Sequence, residues 1–126
     1  MDIRGLQHGA CHCGSVQFEV DLPNGFEGLS RCNCSMCARR GAVVTSVPLA
    51  AFSVIQGAEN LSLYQFNTKT AEHYFCSICG IYTHHKRRSN PHQFSVNVAC
   101  LKDVNPFELG EIPTTDGINH SPDRRR

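Results

Sequence analysis

The chain has 126 residues, eight of them cysteine, with 40% hydrophobic residues and a formal net charge of +1. That length suits one domain, residues 1–126, able to bury roughly two-thirds of the surface its unfolded form exposes. The near-zero charge gives no general attraction to nucleic acid or to an anionic membrane, and no apolar run approaches the roughly 18 residues of a membrane-spanning helix.

The opening ten residues, MDIRGLQHGA, hold no apolar stretch of the kind that directs secretion, so a cytoplasmic chain with reduced thiols is expected. Over residues 15–21, Val16, Phe18 and Val20 alternate with Gln17, Glu19 and Asp21, the period of a half-buried strand. Pro23-Asn24-Gly25 closes it in a turn. A turn or two of helix fits residues 35–40. Short strands follow over 42–47 and 52–56, punctuated by Pro48 and Gly57. Residues 61–66, 73–75 and 81–84 read as further strands. In the last, 93–101, Phe94, Val96, Val98 and Cys100 share a face, and a helical turn over 101–105 follows. Beyond Phe107 the composition predicts irregular but packed chain. The expected class is mainly β, small antiparallel sheets with few short helical turns.

The cysteine spacing points to metal rather than disulfides, because Cys-x-Cys pairs rarely bridge each other yet two strand residues at i and i+2 share a face. Cys11-His12-Cys13-Gly14 and Cys76-Ser77-Ile78-Cys79-Gly80 together supply four thiolates. The Cys-x-x-Cys-Gly element is a metal knuckle, and Gly80 permits the tight backbone that brings N–H groups to sulfur. Such a closed Cys₄ site ties distant segments together and contributes folding energy.

Cys32, Cys34 and Cys37 form a second group, three thiolates from one loop. Three protein ligands with an exchangeable fourth position is the pattern of a working zinc. Three thiolates leave such a centre formally at −1, a poor acid for water but well suited to another soft sulfur, so a small thiol is the natural visitor. Arg31, Arg39 and Arg40 flank the loop and can offset that charge or hold an anion on the thiol. Cys100 shares the parity of the last strand's apolar face and reads as an unligated buried thiol. His12 should point away from its cysteine neighbours, and His73, His84 and His85 lie near the knuckle in sequence.

"GACHCGSVQFEV", "CNCSMCARRGA" and "YFCSICGIYTH", in that order over about residues 9–107, resemble the glutathione-dependent formaldehyde-activating enzyme family, also called the CENP-V/GFA domain. The late segment "DGINHSP" also looks familiar for such proteins. The resemblance implies a β-tent fold of small antiparallel sheets stitched by zinc. It implies that Cys11, Cys13, Cys76 and Cys79 hold a structural zinc and that Cys32, Cys34 and Cys37 hold a second, catalytic one, two zinc ions per chain. It further implies a carbon–sulfur lyase chemistry between glutathione, or another small thiol, and a small carbonyl compound such as formaldehyde. The competing reading is a zinc-stabilised binding module without turnover, using Lys86-Arg87-Arg88 as part of a surface for protein or nucleic acid. Near-neutral charge and the lack of an aromatic stacking pattern argue against nucleic acid. Arg124-Arg125-Arg126 reads as a solvated chain end.

Overall fold

The computed structural model describes residues 3–118. In chain order the elements are β1 (Gly5–Ala10), β2 (Gln17–Leu22), β3 (Leu29–Cys32), helix α1 (Ser35–Arg40), β4 (Val44–Pro48), β5 (Phe52–Gln56), β6 (Leu61–Tyr64), β7 (Glu72–Cys76), β8 (Tyr82–Lys86), β9 (Gln93–Asn97) and β10 (Thr114–Thr115), with short 3₁₀ turns between some of them. The expected fold class holds: this is a mainly β chain of small sheets. One sheet has the order β1-β2-β5 and the other β10-β3-β4-β9-β8-β7-β6. All pairs are antiparallel except β10, which runs parallel to β3. Among the described residues no helix is long and apolar enough to cross a membrane.

The alternation in β2 does what its period predicts. Phe18, Val20 and Leu22 are buried while Asp21 is exposed. They meet Phe52 of β5, Val47 of β4 and Val96 of β9, so the core lies between the two sheets. The Phe18 and Phe52 rings sit 5.0 Å apart, and Phe52 lies 4.3 Å from the ring of His84. Each fully buried side chain of this size contributes about 1.5–3 kcal/mol relative to exposure. A smaller cluster of Cys11, Val16 and Cys76, backed by Val54 and Leu61, joins the end of the first sheet to the second.

The structure departs from the sequence reading in places. β9 stops at Asn97 instead of running on to residue 101. Asn97 Nδ2 donates to the Tyr82 carbonyl at 2.9 Å and its Oδ1 accepts the Ala99 N–H at 3.2 Å, which turns Val98–Cys100 into a 3₁₀ turn. Cys100 therefore lies beyond the strand, in that turn, yet packs against the same core as Phe94. The helical turn expected over 101–105 is displaced to Pro106–Glu108, capped by Asn105. Strands β1, β3 and β10 have little apolar alternation and are held mainly by pairing. After Phe107, itself 95% exposed, Leu109 and Ile112 do pack on the core, but 113–116 lie exposed along β3. The basic run 124–126 and the end of "DGINHSP" lie outside the described residues.

Candidate metal centres

The first cysteine group forms where β1 turns into β2 and where β7 turns into β8. Cys11 and Cys13 sit in the turn after Ala10, not on a strand as the spacing suggested. The Cys11 N–H donates to the Val16 carbonyl at 3.0 Å, which closes that turn. On the other side, the Gly80 N–H donates to the Cys76 carbonyl at 2.8 Å, and Gly80 takes φ +78°, a conformation a side chain would disfavour. The sulfurs of Cys11, Cys13, Cys76 and Cys79 lie within 4.8 Å of one another. Cys11 Sγ is 3.6 Å from Cys13 Sγ, which is 3.8 Å from Cys76 Sγ. Four thiolates at about 2.3 Å around one tetrahedral ion stand about 3.8 Å apart. The Val16 and Ile78 N–H groups each donate to a sulfur at 3.4 Å, Cys11 and Cys76 respectively. The Ser15 hydroxyl, 3.3 Å from Cys76 Sγ, leads the donors that lower this thiol to about 6. All four cysteines are free of disulfides. A closed, sulfur-only donor set at tetrahedral spacing fits zinc.

The second group is wound into the start of α1. β3 ends on Cys32, and Cys34 is the helix N-cap, its Sγ accepting the Cys37 N–H at 3.4 Å. The Cys34 N–H donates to Cys32 Sγ, also at 3.4 Å. A six-residue helix that buries none of its side chains has little reason to exist alone, so its caps and this sulfur turn carry it. The three sulfurs lie within 4.8 Å of one another, and among the described residues no fourth ligand joins them. Cys100 is elsewhere, its thiol donating to the Tyr82 carbonyl. Hydrogen bonds from Cys32 and Cys37 push the Cys34 thiol down, while Cys32 and Cys34 push Cys37 up. Three thiols this close cannot all ionise without mutual repulsion, which a soft cation would relieve.

A strap from the C-terminal segment covers one side of the trio. The Asn33 N–H donates to the Thr115 carbonyl at 3.2 Å, and Asn33 Oδ1 accepts the N–H groups of Gly117 at 2.7 Å and Ile118 at 3.2 Å. A Cβ on Gly117 would fall 2.5 Å from Cys32 Sγ and 2.7 Å from Cys34 Cβ. Only glycine lets backbone come this close.

The trio opens into a cleft of about 180 Å³, lined also by Arg40, His73, Tyr82, His85 and Arg87. Arg40 lies over the Tyr82 ring, its guanidinium carbon 3.6 Å from the centroid. Its Nη2 donates to His73 Nδ1 at 3.0 Å and reaches Cys37 Sγ at 3.6 Å. Its buried Nη1 has no hydrogen-bond partner among the described residues, and no carboxylate there answers its charge. A buried cation needs a compensating anion, and three thiolates around a divalent ion supply one negative charge. The count closes with zinc in the trio, which makes the donor set a fit for that ion. Because Arg40 is the donor, His73 accepts at Nδ1 and keeps its proton on Nε2. Burial, then the Arg40 charge, hold His73 at about 4, and burial, then His73 and Arg40, hold His85 well below its ordinary value. Both are neutral at pH 7.

A slip in strand pairing builds the wall of this cleft. His73 pairs with His85 and Tyr74 with His84, but Phe75 pairs with Tyr82, leaving Thr83 as an extra residue. Tyr82 and His85, three apart, would face opposite ways on a regular strand; the bulge turns both into the cleft, where the Tyr82 hydroxyl meets His85 Nδ1. Of the three arginines expected to hold an anion, Arg31, Arg39 and Arg40, only Arg40 lines the cleft, and Arg87 and Arg88, expected on an outward basic surface, line it as well. Arg31 is exposed, and Arg39 is exposed and donates to the Ser35 carbonyl at 2.9 Å. His73 and His85 belong to this cleft, not to the knuckle, while His84 faces the core. Tyr82 carried no sequence signal, and His85 and Arg87 stood out only as a histidine near the knuckle and as part of a basic run; their convergence depends on a bulge that periodicity does not reveal.

A sequence model of the glutathione-dependent formaldehyde-activating enzyme family matches residues 6–112. The chain belongs to this family. A Halomonas elongata protein, named provisionally as a glutathione-dependent formaldehyde-activating enzyme, is 37% identical over 82 residues, covering 59% of this chain and 52% of that protein. The match thus spans about half the length of that relative. A crystal structure of a Rhodobacter sphaeroides protein is 58% identical, with a TM-score of 0.83 over 86% of this chain and 99% of the other. Both cysteine groups, Cys11, Cys13, Cys76 and Cys79 and Cys32, Cys34 and Cys37, fall within the matched residues.

Proposed function

We propose that this chain, working as a single domain, binds two zinc ions and makes or breaks the carbon–sulfur bond between a thiol, glutathione or a relative of it, and formaldehyde or a similar small carbonyl compound. Cys11, Cys13, Cys76 and Cys79 would hold the structural ion, and Cys32, Cys34 and Cys37 the working one. The observation that carries this reading is a sulfur trio facing a cleft with no fourth ligand among the described residues. When bound there, zinc would supply a soft Lewis acid that keeps the substrate sulfur as thiolate.

The chain's own side chains then account for the rest. In the forming direction the sulfur's electron pair makes the C–S bond, the carbonyl π pair moves to oxygen, and the thiol's proton ends on that oxygen. Arg40, fixed on Tyr82 and beside Cys37, offsets the negative charge of the sulfurs. His73 lines the cleft as a neutral imidazole, so its Nε2–H serves as a hydrogen-bond donor to the developing alkoxide. Buried walls limit competing water at the carbonyl carbon. Arg87 and Arg88 line the cleft and are thereby drawn away from the outward basic surface that a nucleic-acid module would need.

Because this addition also runs in water without a catalyst, the test is a rate. Exchange NMR of labelled formaldehyde between its free and thiol-bound forms should quicken with protein and return to the uncatalysed rate with Cys34→Ser. A protein that holds two zinc ions yet leaves exchange at the uncatalysed rate would end the enzymatic reading.

A further inference from the structure

Three arginines line the cleft, Arg40, Arg87 and Arg88, against one carboxylate, that of Asp116. Arg40 is committed to the trio, Tyr82 and His73. Arg87 is differently placed. It follows β8, and its backbone N–H donates to the Gln93 carbonyl at 3.1 Å. Its Nη1 donates to Gln93 Oε1 at 2.6 Å and its Nη2 to Ser89 Oγ at 3.2 Å. These bonds engage two of the five N–H groups a guanidinium carries, and both partners are neutral. No carboxylate among the described residues answers its charge. A guanidinium held by neutral groups, with N–H groups to spare at the wall of a cleft, is a preorganised receptor for a carboxylate; its side-chain entropy is already spent.

We propose that the cleft selects thiols that carry a carboxylate, and that Arg87 is the residue that sets this preference by taking the carboxylate while the sulfur goes to the Cys32–Cys34–Cys37 end. This rests on the reading of the trio as an open metal site. Charge supports the assignment. Three thiolates and a divalent ion total −1, an incoming thiolate makes −2, and Arg40 returns only one unit. A carboxylate on the same molecule adds further negative charge near Asp116, so it gains a place only through a separate cation. Neutral thiols gain nothing from Arg87, and thiols with an ammonium group are repelled by it.

The test uses the full chain loaded with cobalt(II), whose visible bands respond to a new sulfur ligand, and three probes: 3-mercaptopropionate, 2-mercaptoethanol and cysteamine. At low salt 3-mercaptopropionate should bind about tenfold more tightly than 2-mercaptoethanol, with cysteamine weakest, the size of effect one charge-assisted hydrogen bond gives. Arg87→Gln should reduce 3-mercaptopropionate to the level of 2-mercaptoethanol and leave the neutral thiol unchanged, and Arg87→Lys should recover part of the difference. Equal affinities for the three probes, or a variant that weakens all of them alike, would overturn the proposal. If no thiol moved the cobalt bands with two ions bound, the open-site reading itself would fall, and this assignment with it.

Discussion

Replacing Gly117 by alanine tests whether the strap presses on the sulfur trio. The new methyl would stand 2.5 Å from Cys32 Sγ, about 0.9 Å inside the 3.4 Å at which ordinary contact begins, and 2.7 Å from Cys34 Cβ. One of two things must give. The strap can lift, breaking the bonds from the Gly117 and Ile118 N–H groups to Asn33 Oδ1, each worth a net of about 0.5–1.5 kcal/mol. Alternatively the sulfur can shift off the position that suits an ion, an overpacking cost of about 1–3 kcal/mol. Either way the penalty is about 1–3 kcal/mol, and taken by the metal it means roughly 5- to 150-fold weaker binding. Competition for zinc against a chromophoric chelator reads this directly. One site should weaken by that factor and the Cys11–Cys13–Cys76–Cys79 site should not, because none of its ligands touches the strap. Asn33→Ala, which removes the hydrogen bonds without the clash, should move the same site by less. Two unchanged affinities and an unchanged Tm in Gly117→Ala would refute the reasoning.

Cys34→Ser should lose one zinc and keep its fold, whereas Cys76→Ser should unfold the domain, since structural zinc supplies about 10–16 kcal/mol in small domains and total stability is about 5–15; metal analysis and melting curves that do not distinguish the two variants would discard the division of labour. Arg40→Met leaves the trio's negative charge unanswered, so zinc at that site should bind at least about tenfold more weakly, and equal chelator competition curves would contradict the charge count. His84 is buried between Phe52 and Tyr74, and burial depresses it from 6.5 to about 4. The unfolded chain takes up this proton first, so the contribution is complete above pH 6.5 and disappears as pH falls toward 4, up to about 3 kcal/mol. His84→Phe should therefore flatten the acid limb of stability between those values, measured as the difference in urea midpoint from the parent; parallel limbs would remove His84 as the cause.

Much of this was written in local patterns. The buried residues of β2 follow a period of two that needs no tertiary information, the Cys32–Cys34–Cys37 group is fixed by spacing within one turn, and the other group is assembled from two turns, each with its own short cysteine spacing. What stayed hidden was set by long-range events. Cys100 kept the parity of its strand on paper, but Asn97 ended that strand by bonding to the Tyr82 carbonyl across the sheet. The cleft's histidines were visible as residues and assigned to the wrong neighbours, because the Thr83 bulge decides which of Tyr82, His84 and His85 face the trio. β10 and the strap could not be foreseen, since an exposed Thr-Thr pair has no hydrophobic signature and is held by Asn33 from far away in the chain.

Strand β7 has His73 near its beginning and Cys76 at its end, so a single short ribbon reaches from the cleft to the four-cysteine cluster. Fastening the Cys76 end fixes the hairpin, and with it the resting places of His73, Tyr82, His85 and Arg87. A change at the Cys76 end would therefore be felt in the far wall of the cleft, while the Cys32–Cys34–Cys37 turn, built on β3 and α1, stands on its own elements.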